Sequence, residues 1–437
     1  MYKVFKTKGN NHYLYDSVSN NFFRMRPSDL ETLKSEGDTS ELSACGVDLG
    51  DIPCLQEYSP KVNEFETPEL VTLELTQQCN LRCDYCYYSG AYKYERTHND
   101  KTMPTSIIDK IIKDYFANAQ TPTQYLGFYG GEPLLQFGKI KYAVESLSKL
   151  GFQPIFSMTT NGILFTDEII DFCIEHGFML TISFDGKDHD KHRKTQQGSP
   201  TANRIIEIME KFKAREYEYF IKNIRTTVTL SPPYNLYENA VYMNAHPIFS
   251  LLQMNVSGLN TQENSFKDKN DMTRQAEVFN RDLDLLADEY IETHTGKPFH
   301  RALFEKYMLR LEARDMNLQS KAYPLGQCSI GDHRLFITAD GYKHMCERVG
   351  AYGELGHIND GTKQIDKYRA VYDEYKKAID GVCESCLLLR LCDYCISAIR
   401  QNDRLSDKSE MQKLCAEQKK WYDLIFYIFL SKKESAL

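Results

Sequence analysis

The stretch Cys79-Asn80-Leu81-Arg82-Cys83-Asp84-Tyr85-Cys86 places three thiols within eight residues, spaced C-x3-C-x2-C, directly after the apolar run Leu70–Leu75. On a loop, this spacing lets three sulfurs converge on one group. Thiolates are soft donors, and iron–sulfur clusters are normally held by cysteine. A [4Fe–4S] cluster has four irons. Three local ligands therefore leave either a distant fourth cysteine or one iron open to another molecule. A structural zinc knuckle and cysteines buried as small hydrophobes are the competing readings.

With aromatic Tyr85 just before its last cysteine, the motif resembles the signature of radical S-adenosylmethionine (SAM) enzymes. The resemblance runs over most of the chain from about Val71. It implies that Cys79, Cys83 and Cys86 hold a [4Fe–4S] cluster whose open iron binds SAM. An electron from the cluster then cleaves SAM, and the 5′-deoxyadenosyl radical takes a hydrogen from substrate.

Downstream the pattern alternates strand and helix. Candidate strands are 70–76, 124–129, 154–160, 179–184, 223–230 and 251–257, with helices at 106–116, 139–150, 167–176 and 203–215. Such alternation predicts a parallel sheet with right-handed crossovers. Six units are fewer than a full eight-fold barrel, and the resemblance implies an α/β fold, a partial (β/α)6 TIM-type barrel. Barrels of this kind carry their chemistry at the C-terminal ends of the strands, where the cysteine loop lies. Residues 272–312 read as largely helical.

The strand ends carry further candidates. Tyr129-Gly130-Gly131-Glu132-Pro133 closes the second strand. Its glycines permit close approach of backbone to a ligand, and the resemblance gives Gly130, Gly131 and Glu132 the SAM amino group. Thr159, Thr160 and Asn161 close the third strand with small polar groups; a plain turn is the bland reading. Ser183 and Asp185 close the fourth. The resemblance places them near the SAM carboxylate and ribose, and a carboxylate suits vicinal hydroxyls. Asp185 as a turn cap is the alternative. Arg193 is a candidate for bidentate pairing with a carboxylate, against a surface position. Tyr85 is a candidate to pack on adenine, against ordinary core packing. His189 and His192 read as structural.

Residues 2–26 read as three short strands (2–6, 12–16, 21–25) with turn formers at Asn10-Asn11 and Ser19-Asn20. Pro27-Ser28 opens a helix, with Ser28 the expected N-cap and Glu31 at capping-box spacing. This unit resembles a shortened precursor-recognition element, which captures a leader peptide as an added edge strand. A capping subdomain without a binding role is the alternative. Residues 1–27 carry a net +4 and 28–69 a net −9, so a basic module precedes an acidic connector.

After residue 320 the cysteines return as Cys328, Cys346, Cys383, Cys386, Cys392, Cys395 and Cys415. Ala339-Asp340-Gly341 reads as a hairpin turn between Cys328 and Cys346. The layout resembles the SPASM domain, with Cys395 one residue earlier than that pattern expects. The resemblance implies two auxiliary [4Fe–4S] clusters, one on Cys383, Cys386, Cys392 and Cys415, the other on Cys328, Cys346 and Cys395. No cysteine lies in 320–327, so the second of these is expected to leave an iron open to a substrate thiolate. A non-cysteine ligand or a remote cysteine is the alternative. Glu347, directly after Cys346, resembles an acid that serves as a base in sulfatase-maturing relatives, against a supporting or surface position. Cys173 reads as core.

The expected organisation is 1–66 as recognition module and acidic linker, 67–310 as barrel with bridging helices, and 311–437 as the auxiliary-cluster domain. Thirteen cysteines without a signal-peptide pattern favour metal or redox chemistry in a cytoplasmic protein over disulfides. A net charge of −8 disfavours nucleic acid. No apolar run reaches the roughly 18 residues of a membrane span.

The expected function is modification of a ribosomally synthesised peptide, with leader-bearing precursor peptide and a flavodoxin- or ferredoxin-type electron donor as partners. SAM and three [4Fe–4S] clusters are the expected cofactors. A Cys thioether is the expected bond. Carbon–carbon cross-linking and formylglycine formation on a sulfatase are rivals, and an iron–sulfur sensor or electron carrier is the non-enzymatic alternative.

Overall fold

The computed structural model describes residues 2–35, 67–90, 92, 95–119, 121–258, 269–293, 296–316, 334–348, 350–361, 365–384, 386–401 and 403–435. Cys45, Cys54, Cys328 and the segment 320–327 lie outside them.

The chain opens with β1 (Tyr2–Lys6), β2 (His12–Asp16) and β3 (Asn21–Met25), an antiparallel meander in the order β1-β2-β3. Its turns place Asn10 at φ 63° and Asn20 at φ 53°. Asparagine tolerates this left-handed region better than most residues, because its short amide bonds locally. The helix Pro27–Ser35 follows. Ser28 is not its N-cap. Pro27 takes the first helical position, and the Asp29 carboxylate accepts from the Arg26 backbone N–H at 2.8 Å. Proline's fixed φ favours that first position, which moves the cap one residue earlier.

The barrel strands are β4 (Leu70–Thr76), β5 (Tyr125–Gly130), β6 (Ile155–Thr160), β7 (Met179–Ser183), β8 (Ile224–Leu230) and β9 (Gln253–Gly258). They pair in that order, all parallel. The sequence expectation of a partial (β/α)6 barrel is met. Alternate residues such as Val71, Leu73, Leu126, Phe128, Leu180 and Ile182 are buried in one continuous apolar cluster beneath the helices. The helix Phe137–Lys149 meets that cluster with Ile140, Ala143, Val144 and Leu147, the spacing of one helical face.

The opposite face lines the lumen and is largely polar, with Leu70, Tyr125, Ile155 and Met179 along its lower rim. A Cβ on Gly127 would stand 2.9 Å from Thr72 Oγ1 and 3.2 Å from Ser157 Oγ, so these three residues share it. By strand alternation Thr181, Ser183, Arg225, Thr227, Thr229 and Asn255 belong to it too.

Three later strands extend the same sheet. β10 (Arg334–Ile337) pairs parallel with β4, and β11 (Tyr342–His344) and β12 (Glu354–His357) follow antiparallel. The order is β12-β11-β10-β4-β5-β6-β7-β8-β9. The hairpin at Ala339-Asp340-Gly341 was legible in the sequence; its attachment to the barrel's first strand was not.

The N-terminal meander packs on the long C-terminal helix Lys408–Ser435. Phe426 is fully buried there, with ring centroids 5.0 Å from Phe5, 4.9 Å from Tyr15 and 5.0 Å from Phe22. Arg314 adds hydrogen bonds to the Asn20 carbonyl (2.7 Å) and the Asn21 side chain (3.0 Å). Truncation of a buried phenylalanine costs about 3–5 kcal/mol. In Phe426→Ala, amide hydrogen exchange should therefore accelerate at least tenfold across residues 2–25 and stay unchanged in β4–β8. Equal protection in the variant would mean that this aromatic contact does not hold the module.

Candidate active site

The cysteine loop leaves β4 at its C-terminal end and is clamped from two sides. Gly131 N–H donates to the Thr76 carbonyl and Glu132 N–H to the Gln78 carbonyl, each at 2.8 Å. A Cβ on Gly130 would lie 2.3 Å from the Thr76 oxygen, and one on Gly131 only 2.0 Å from the Gln78 oxygen. Gly130 also takes φ +138°. The glycine pair thus serves close approach of backbone to backbone, where the sequence reading had backbone approaching a ligand. From the other side, Arg82 N–H donates to the Lys194 carbonyl (2.8 Å) and Asp84 N–H to that of His192 (3.2 Å).

The three sulfurs feel one another's charge. Burial pushes the Cys79 thiol up to about 12 and the Cys83 thiol up to about 11. Bare thiolates would be costly in such a place, and a bound iron cluster removes that cost. Cys79 Sγ faces the N–H of Leu81, and Cys86 Sγ that of Tyr88, both at 3.4 Å. Cys346 Sγ faces the N–H of Arg348 at the same distance, and Cys392 accepts from Tyr394. Hydrogen bonds to sulfur are a standard means of tuning iron–sulfur clusters. Among the described residues no three His, Cys, Asp or Glu side chains gather tightly enough for a single metal ion. A four-iron cluster gives each cysteine its own iron, so its ligands stand wider apart. The donor set fits such a cluster.

Glu132 is buried and takes three protein donors: Thr160 Oγ1 (2.6 Å), Asn161 N (2.8 Å) and Leu134 N (3.1 Å). A carboxylate offers about four acceptor positions, so one remains for an ammonium group. Asn161 Nδ2 reaches Asn80 Oδ1 at 2.8 Å and Cys79 Sγ at 3.8 Å, tying the third strand end to the cysteine loop. Ser183 is buried at the end of β7, in register with Thr227.

Asp185 is held by protein donors. It accepts from Arg193 Nε and Thr229 N, each at 2.9 Å, and from the Tyr85 hydroxyl. It makes no side-chain cap to the turn it begins. Arg193 is buried, with its guanidinium 5.3 Å over the Tyr85 ring and Nη1 3.9 Å from Cys83 Sγ. A fixed cation beside a cluster thiolate lowers the cost of the cluster's negative charge. The surface position is excluded, and Tyr85 and Arg193 form one packed unit with Asp185. His189 is structural: it accepts from the Asp185 N–H and meets Thr201 Oγ1. Cys173 lies in the core.

Sequence reasoning missed a second network. Glu74 is fully buried on β4 and accepts from Tyr88 Oη (2.5 Å), Gln77 Nε2 (2.8 Å) and Ala339 N (2.9 Å). Arg96 Nε lies 3.4 Å from it, with the guanidinium over Tyr88 and Phe336. Arg96 also donates to the Glu347 carbonyl. The available signal was a lone acid inside an otherwise apolar strand.

The C-terminal cysteines fall into two groups. Cys383, Cys386, Cys392 and Cys415 influence one another electrostatically, whereas Cys346 couples to Cys395. Glu347 pairs with Arg334 through both oxygens, at 3.2 and 3.3 Å.

Burial lifts the Glu132 carboxyl from 4.5 to about 7, against the pull of Thr160, Asn161 and Leu134. A carboxyl raised on folding contributes its full stability below the unfolded value and loses it as pH rises through the folded value. Without SAM, the free-energy difference between wild type and Glu132→Gln should shift against the wild type by about 3 kcal/mol from pH 4.5 to 7. Urea melts of both proteins across that range measure it, and a flat difference would contradict the assignment.

Comparison with known proteins agrees with this geometry. The radical SAM superfamily model matches residues 73–232. A serine-type anaerobic sulfatase-maturating enzyme of Bacteroides thetaiotaomicron is 26% identical over 175 residues, covering 39% of this chain and 42% of that relative. The chain thus spans under half the length of that relative. The solved structure "Native anSMEcpe with bound AdoMet and Cp18Cys peptide" superposes with a TM-score of 0.61 at 19% identity, over 84% of this chain and 98% of the other. Streptococcus suis SuiB superposes with a TM-score of 0.51 at 14% identity, over 93% and 97%. Among the described residues no helix is long and apolar enough to cross a membrane. The family implies SAM and one [4Fe–4S] cluster, and the chain carries a radical SAM domain over residues 73–232.

Proposed function

We propose that this radical SAM enzyme modifies a ribosomally synthesised peptide and closes an intrapeptide bond, a cysteine thioether. One observation carries the reading. Half-buried Tyr129, on the lumen face of β5, meets Phe336 of β10 edge-on at 6.0 Å, and Arg96, from the loop after the first cysteine motif, stacks on Phe336 and bonds the carbonyl of Glu347, next to Cys346. This supports a reading in which both cysteine groups border one lumen and a substrate held there meets both. The sulfatase maturase and the peptide-bound solved structure support a polypeptide substrate.

When bound, SAM and its reduced cluster supply a 5′-deoxyadenosyl radical. The chain's own residues do the rest. Cys79, Cys83 and Cys86 would hold that cluster, with Arg193 set against Cys83. Gly130, Gly131, Glu132, Thr160, Asn161, Ser183 and Asp185 shape the pocket wall beside it. Cys383, Cys386, Cys392 and Cys415 would hold one further cluster, and Cys328, Cys346 and Cys395 another. The meander β1–β3 offers an edge on which a leader peptide adds as a strand. Loss of one hydrogen atom from a peptide carbon to the 5′-deoxyadenosyl radical, then carbon–sulfur bond formation with release of a proton and of an electron that an auxiliary cluster would take up, balances the reaction. Glu347 is the candidate proton acceptor.

Anaerobic incubation with SAM, reductant and a short cysteine-bearing precursor peptide tests the proposal. The product should be lighter by two hydrogens, with the link mapped to a cysteine by fragmentation. A carbon–carbon link or formylglycine would replace the thioether reading, and absence of 5′-deoxyadenosine would overturn the chemistry. Reconstituted wild type should carry about 12 irons per chain, and the triple alanine variant of Cys79, Cys83 and Cys86 about 8.

Glu347→Gln should lower cross-link formation by about 10²–10⁴-fold while 5′-deoxyadenosine still forms. Parallel loss of both products would make Glu347 structural.

A further inference from the structure

Above a lower rim of Leu70, Tyr125, Ile155 and Met179, the lumen face of the barrel carries polar groups and almost no charge. Across β4–β9 it presents Thr72, Ser157, Thr181, Thr227 and Asn255. Its acid, Glu74, is consumed by Tyr88, Gln77, the Ala339 N–H and Arg96. One cation stands apart. Arg225 sits near the start of β8, flanked by Thr181 on β7 and Gln253 on β9. Its Nε is fully enclosed and has no hydrogen-bond partner. Among the described residues no acid pairs with its guanidinium. Arg334, on β10 at the far side of β4, is by contrast paired with Glu347.

An enclosed guanidinium nitrogen without an acceptor is expensive, because its desolvation is not repaid by a hydrogen bond. Folding offers Ile224 and Val228 on the outer face as apolar neighbours, so nothing in the core requires a charge at 225. An arginine fork matches a carboxylate in shape and charge. The neighbouring threonine hydroxyls and the Gln253 amide suit the same guest.

We propose that Arg225 is a specificity-determining residue that docks a carboxylate of the peptide substrate inside the lumen. The inference rests on the peptide-modifying reading and names a feature of that peptide. The carboxylate comes either from an Asp or Glu side chain or from a free C-terminus. Arg225 lies two rows of side chains below Thr229, which bonds Asp185. At about 3.3 Å per residue this is roughly 13 Å down the strand, beneath the cysteine loop.

The test uses the reconstituted, SAM-loaded protein and two pairs of probes, titrated calorimetrically to their solubility limits. The first pair is N-acetyl-glutamate N-methylamide and its glutamine counterpart. The second is N-acetyl-glycylglycine and its amide. At least one acid should bind wild type tenfold or more tightly than its neutral twin, and the tighter acid identifies the source. Arg225→Gln should abolish the advantage and Arg225→Lys should restore part of it, with 5′-deoxyadenosine formation from SAM unchanged in both. Binding of neither acid, equal binding within each pair, or an advantage kept in Arg225→Gln would overturn the proposal. These readouts need no turnover, so failure of the cross-linking chemistry leaves them independent.

Discussion

The structure depends on a contact that has no side chains in it. The backbone of Gly130-Gly131 lies against that of Thr76–Gln78, so close that a methyl group on either glycine would overlap a carbonyl oxygen. This contact fixes where the first strand ends and where the cysteine loop begins. A bulge in the β4–β5 register falls at this point, between Glu74 and Thr76. Bulges bend a strand and re-aim the residues beyond them. Beyond this one comes Cys79, whose sulfur must stand in a fixed relation to Cys83 and Cys86. The glycines, the bulge and the three cysteines are one device.

Around that device the polar groups are arranged so that few are left idle. Glu132, Thr160 and Asn161 stitch the second and third strand ends together, and Asn161 passes the connection on to Asn80 and Cys79. Asp185, Arg193 and Tyr85 do the same from the fourth strand. Each carboxylate is a hub receiving several donors in a dry setting, where a hydrogen bond is stronger and an unmet one more costly. Rigidity at the mouth of the barrel results from this arrangement. It suits a reaction in which an unspent radical would attack whatever side chain stood nearest.

The barrel was legible because its evidence is local. Alternating apolar residues and strand-to-helix spacing gave each of β4–β9 to within two residues at either end, and the cysteine motif sits next to its strand. The meander β1–β3 was legible for the same reason, since asparagine turns punctuate short alternating runs. The features that escaped were non-local. Nothing in Arg334–Ile337 announces that it will pair with Leu70–Leu73, more than 250 residues earlier. Two of the donors that hold Asp185, Tyr85 and Thr229, lie 100 and 44 residues away. The Ser28 cap failed for a smaller reason: proline's preference for the first helical turn outweighed the serine hydroxyl.

The attachment of β10–β12 to β4 changes how the C-terminal cysteines relate to the barrel. Cys346 comes directly after β11, and Arg96, from the loop after the first cysteine motif, stacks on Phe336 of β10 while bonding the Glu347 carbonyl. Glu74 completes the tie, joining β4 to the hairpin through the Ala339 N–H. A buried acid inside a strand is tolerated because it has four partners there, and removing any one would leave charge exposed to an apolar interior. The cost of burying Glu74 is therefore what holds the region of Cys346 in register with the region of Cys86. The loops that carry Cys79–Cys86 and Cys346 thus both leave strands of one sheet.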